Sequence, residues 1–82
     1  MKLPVIKHLQ KNNDSVKLEH TIEVLENFTE HRSVTEEQMD VIGELITNLC
    51  GAVEVHKMIE DGVPEKDAPN HFAKKVLGSI DR

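Results

Sequence analysis

Apolar residues recur along this chain at helical spacing, in four stretches separated by short polar or Gly/Pro breaks. The first stretch runs from Pro4 to about Asn12, with Val5, Ile6 and Leu9 on one side and Pro4 suited to the first helical position. Asn12-Asn13-Asp14-Ser15 interrupts it, and Asp14 or Ser15 can cap the next helix. The second stretch, from about Ser15 to His31, gathers Leu18, Ile22, Leu25, Phe28 and Thr29 into one arc. Beside that arc Glu19, Glu23, Glu26 and Glu30 form an acidic stripe, while His20 and His31 point away from it. No stretch alternates with a period of two, so the predicted class is all-α.

The third stretch has marked ends. Thr35-Glu36-Glu37-Gln38 is a capping box, in which the Thr35 hydroxyl accepts from the Gln38 amide and the Gln38 side chain reaches back. Val34 and Met39 stand at the positions of a hydrophobic staple. At the far end, Asp61-Gly62-Val63-Pro64 is a left-handed stop: Gly62 takes a positive φ, Val63 folds back on Met58, and Pro64 prevents continuation. One helix is therefore expected from about residue 36 to 61. After Pro64, a last helix starts near a candidate cap at Asp67, tolerates Pro69 in its first turn, and runs to about Gly78 or Ile80. Its apolar face is Phe72, Ala73, Val76, Leu77 and Ile80.

The long helix is too long for the globule. A rod of about 26 residues measures roughly 39 Å, whereas a compact chain of this size has a radius of gyration of roughly 12 Å and a diameter of about 30 Å. Its apolar positions, among them Met39, Val41, Ile42, Leu45, Ile46, Leu49, Ala52, Val53 and Ile59, cover about 160° of its surface, beyond the ~100° stripe of a simple surface helix. Two solutions exist: the other three helices cover that arc, with a bend at Gly51, or a second chain supplies another layer. The second is the expectation adopted: a single domain over 1–82, a small bundle of about four helices on one central rod, completed as a homodimer or higher homo-oligomer. Gly43, Thr47 and Gly51, a small-residue row at four-residue spacing largely opposite the arc, are the candidate interface for a closely crossing partner helix. The plain alternative is a solvated back face bearing two glycines that each cost ~1 kcal/mol relative to Ala.

Composition narrows the partners. Fifteen acids against ten bases give a formal charge of −5, which repels phosphate backbones and anionic membranes. With only Phe28 and Phe72 as aromatics, both expected in the core, little is left on which a nucleobase could stack. No run approaches the ~18 apolar residues of a membrane span, and the first residues are too weakly apolar for a secretory leader. The single cysteine, Cys50, forms no internal disulfide, consistent with a reducing cytoplasm. Nucleic-acid and membrane partners are thus disfavoured, and the Glu19/Glu23/Glu26/Glu30 stripe is either a solvated face or a docking face for a basic protein.

Chemistry-bearing patterns are few. His56 falls inside the apolar arc of the long helix and Glu60 follows one turn later, a pair that can hydrogen-bond, share a metal or exchange a proton. The structural reading is a core or interface histidine held by Glu60 or by a backbone carbonyl. Residues three before each histidine are Val5, Lys17, Phe28, Val53 and Ala68, so the Glu-x-x-His pattern of di-iron bundles is missing, as are zinc and calcium signatures. Cys50 lies mid-helix, without the helix N-terminus or basic neighbours that activate thiols, and reads as a small packing residue. No phosphate-binding glycine loop or nucleophile elbow occurs, so no catalytic residue and no cofactor is expected.

The residues Met1–Leu9, Asp40–Ile46, Gly51–Met58 and Val76–Asp81 resemble a family of small bacterial all-helical proteins catalogued as a domain of unknown function. That resemblance implies a cytoplasmic bacterial protein and carries no catalytic residue to transfer. The residues support two functional expectations. One is a non-enzymatic helical interaction or assembly module. The other is a small ligand-, metal- or redox-accessory protein using His56 and Glu60 near Cys50.

Overall fold

In the computed structural model, whose described residues are 2–80 for the backbone and 2–76 for side chains, four helices occur in order. They are α1 (Leu3–Asn12), α2 (Ser15–Thr29), α3 (Glu36–Glu60) and α4 (Ala68–Ile80), with no strand among the described residues. Local chemistry sets their ends. The Asp14 carboxylate accepts from the Lys17 amide at 2.7 Å to start α2. The capping box of α3 is complete: Thr35 Oγ1 accepts from the Gln38 amide at 3.2 Å, and Gln38 Oε1 accepts from the Thr35 amide at 3.0 Å. At its other end the Gly62 amide donates to Ile59 and the Val63 amide to Met58, the paired bonds of a Schellman motif, with Gly62 at φ +108°. Helix α2 stops two residues before the expected His31, where the His31 ring accepts from the Ser33 amide.

Helix α3 is one continuous rod of 25 residues, with no break at Gly51. It packs against each of the other three helices, most extensively α2, and α1 also touches α4. The core sits around its C-terminal half: Leu49, Ala52, Val55 and Met58 of α3 meet Ile6, Leu18, Ala68 and Phe72. Gly51 makes that convergence possible. A Cβ there would stand 2.7 Å from Ile6 Cδ1 and 3.3 Å from Phe72 Cζ, so the missing side chain lets α1 and α4 close on α3 together.

The N-terminal half of α3 is different. Among its apolar positions Ile42 is buried and Ile46 half-buried, on the side that α2 covers, while Met39, Val41 and Leu45 remain 43, 58 and 48% exposed. The molecule is correspondingly elongated, 43 × 31 × 18 Å, with a Cα radius of gyration of 13.8 Å against roughly 12 Å for a compact chain. Three expectations need correction. Phe28 is not in the core but 52% exposed, because it lies on the flank of α2 beyond the line that meets α3. Gly51 does not belong to a solvent-facing row: it is buried inside the chain, since α1 and α4 wrap further round the C-terminal half of α3 than its apolar arc suggests. Cys50 is exposed rather than packed. Leu77 and Ile80, expected on the apolar face of α4, lie outside the residues whose side chains are described.

Candidate functional site

Along α3, Gln38, Val41, Leu45, Asn48, Ala52, Val55 and Ile59 recur at alternating steps of three and four, the spacing of a helix–helix seam. Helix α1 occupies that seam from Asn48 onward: the Lys2 amide donates to Asn48 Oδ1 at 2.9 Å, and Ile6, fully buried, sits over Gly51. Asn48 is itself buried, and its amide donates to the Glu44 carbonyl at 3.1 Å. Above Asn48 α1 ends, and Val41 and Leu45 continue the seam without cover.

Helix α2 supplies a matching row. Thr21, Val24 and Phe28 are exposed at the same three–four spacing, with Val24 at 65% and Phe28 at 52%. Burial places the two rows on one side of the α2–α3 hairpin. Leu18, Ile22 and Leu25 of α2 and Ile42, Ile46, Leu49 and Val53 of α3 are buried or half-buried and mark where the helices face each other, which in an antiparallel pair sets the Glu26 flank of α2 and the Cys50 flank of α3 on one side. Partial burial, and secondarily the carboxylate of Glu26, accordingly hold the Cys50 thiol above its ordinary pKa. At 100° per residue Val24 and Phe28 stand about 160° from Glu26, and Val41 and Leu45 about 140–180° from Cys50, so all four fall on the opposite side. The two helices are joined at one end by the loop 30–35 and pinned at the other by a hydrogen bond from His56 Nε2 to the Asn13 carbonyl.

The four side chains leave on the order of 350 Å² exposed, the scale at which apolar patches on small proteins are often functional.

The other candidates are dispersed. His56 is half-buried and donates 2.8 Å to the Asn13 carbonyl at the C-terminal cap of α1, tying α1 to α3. Glu60, one turn on, is exposed, and among the described residues no hydrogen bond or ion pair joins it to His56. An open depression beside them is lined by Gln10, Asn13, Asp14, Lys17 and His56; Gln10 is buried there, and its Oε1 has no partner among the described residues. Among the described residues no three His, Cys, Asp or Glu side chains come together as a metal site. Glu19, Glu23, Glu26 and Glu30 are all exposed. Gly43 faces open space, and Thr47 Oγ1 donates to its carbonyl at 2.8 Å, a local bond within the helix.

A family model spans residues 1–81, covering all four helices and the α2–α3 surface. The chain belongs to a family of unknown function (DUF6952). No curated protein and no solved structure matches it. Family membership thus fixes kinship over the whole helical unit and leaves the role of the surface to its geometry. Among the described residues no helix is long and apolar enough to cross a membrane.

The uncovered rows do not show on a helical wheel, which averages the apolar arc of the long helix over its whole length. The signal that finds them is the three–four seam combined with the length of the first helix, which is only 10 residues and cannot cover 25.

Proposed function

We propose that the chain is a non-enzymatic helical interaction module that assembles with copies of itself, within the cytoplasm of a bacterial cell. The observation that carries this reading is the uncovered N-terminal half of α3, where Val41 and Leu45 are 58 and 48% exposed beside the exposed Val24 and Phe28 of α2. Burying exposed apolar side chains is the main favourable contribution to association. A single cysteine and the lack of a spanning helix among the described residues agree with the cytoplasm; a bacterial origin rests on the family resemblance. The stripe of Glu19, Glu23, Glu26 and Glu30 stays available to a basic protein partner.

Association of folded chains makes thermal stability depend on concentration, since mass action favours the assembled state. Thermal unfolding monitored by circular dichroism over a hundredfold range of protein concentration should give a midpoint that rises with concentration. The rise should persist in the presence of a chelator and after alkylation of Cys50. A midpoint independent of concentration would refute self-assembly, and a rise abolished by the chelator would favour a metal-dependent role instead.

A further inference from the structure

We infer that two copies pack through the side of the α2–α3 hairpin bearing Val24, Phe28, Val41 and Leu45, related by a two-fold axis, so that the four helices of the two hairpins form a bundle. This rests on the self-assembly reading and specifies its surface. Three observations choose the face and the occupant. The first is continuity: the seam that α1 fills from Asn48 onward runs on through Leu45 and Val41, so the protein has already built a helix-docking surface there and covered half of it. The second is charge. The stripe of Glu19, Glu23, Glu26 and Glu30 lies on the far side, with Cys50, so a face-to-face pair keeps both acidic stripes in solvent and apart. Lys17 lines the same surface as Thr21 and Val24 on α2, while Glu37 and Glu44 flank Val41 on α3, and all three are exposed. Setting α2 of one copy against α3 of the other therefore brings groups of opposite sign together. The third is the apolar centre the face offers: Val24, Phe28, Val41 and Leu45 are 65, 52, 58 and 48% exposed, and two such rows meeting two more give an interface a fully apolar centre with a polar rim.

The two-fold arrangement makes each row serve as both donor and recipient surface, which closes the assembly at two chains. Cys50 and Met39 then lie outside the interface, on the opposite flank of α3.

The test is solution mass by light scattering on the full chain and three variants, with helicity checked by circular dichroism. The wild type should show twice the 9.3 kDa chain mass. Val41→Glu/Leu45→Glu should halve it while keeping wild-type helicity, since both positions are exposed within the protomer. Val24→Glu/Phe28→Glu reads the same face from the other helix, so the test survives misfolding of either variant. Met39→Glu, on the opposite flank, should leave the mass doubled. A doubled mass in both face variants would overturn this surface while leaving self-assembly in place, as would a mass halved equally by Met39→Glu. A wild type with the mass of one chain at every concentration would overturn both proposals and leave the face to a different partner.

Discussion

Gly43 and Gly51 sit in the same helix, eight residues apart, and alanine should stabilise at the first and not at the second. Replacing a helical glycine by alanine gains about 1 kcal/mol from backbone conformational freedom alone. At Gly43 nothing lies within 4 Å of the added Cβ, so that gain should appear in full. At Gly51 the same atom would stand 2.7 Å from Ile6 Cδ1, 3.2 Å from Ile6 Cγ1 and 3.3 Å from Phe72 Cζ. Ile6 is completely buried, so its Cδ1 must turn within a packed core or α1 must move away. Overpacking of this kind costs about 1–3 kcal/mol. Gly43→Ala should therefore stabilise by about 1 kcal/mol, whereas Gly51→Ala should break even or destabilise by up to about 2 kcal/mol. Helix propensity cancels in the comparison, so the difference between the two variants isolates the packing of α1 and α4 over Gly51. Since 1 kcal/mol corresponds to roughly 4–8 °C for a domain of this size, the two midpoints should lie at least several degrees apart. Thermal unfolding at one fixed protein concentration measures it. If Gly51→Ala were as stable as Gly43→Ala, Ile6 would not sit against α3 as described.

Further outcomes are expected from single contacts. His56→Ala removes the bond to the Asn13 carbonyl that ties the end of α1 to α3, and should destabilise by about 1–2 kcal/mol in chemical denaturation, with no change in bound metal by elemental analysis. Gly62→Ala forces a Cβ into the left-handed turn at φ +108° and should cost about 1–2 kcal/mol by the same assay. Cys50 is exposed and should react completely with a thiol reagent in the folded state, yet its raised pKa leaves less thiolate at any given pH. The midpoint of its pH–rate profile should therefore lie above that of a free thiol, and Glu26→Gln should bring it down; a profile unchanged by Glu26→Gln would contradict the placement of the acidic flank beside Cys50.

The features legible in the sequence were those whose chemistry acts within a few residues. Thr35 with Gln38, Asp14 with the Lys17 amide, and Gly62 with Val63 are all local, and each sets a helix boundary that can be read without knowing what packs where. The continuous rod of α3 could be inferred from its two ends. Longer-range consequences were hidden. Gly51 looks like part of an open row until Ile6, forty-five positions earlier, is known to lie on it. A helical wheel drawn over all of α3 merges a C-terminal half surrounded by three helices with an N-terminal half that meets α2 on one side only. That merging puts the exposed Val41 and Leu45 in one arc with the buried Leu49 and Ala52, and the same averaging over α2 puts Phe28 in the core. His56 was legible as a half-buried histidine in need of a partner, but a backbone carbonyl at Asn13 leaves no mark in composition or spacing. The mismatch between rod and globule, by contrast, was readable from length alone, and the 43 Å long axis reproduces it.

Small-angle X-ray scattering from the wild-type chain tests the central claim most directly, because forward intensity reports mass and the profile reports shape in one experiment. If a second copy covers Val24, Phe28, Val41 and Leu45, the forward intensity corresponds to two chains and the radius of gyration clearly exceeds the 13.8 Å of one protomer. A profile reproduced by the single protomer, with a forward intensity of one chain across the accessible concentrations, would contradict it.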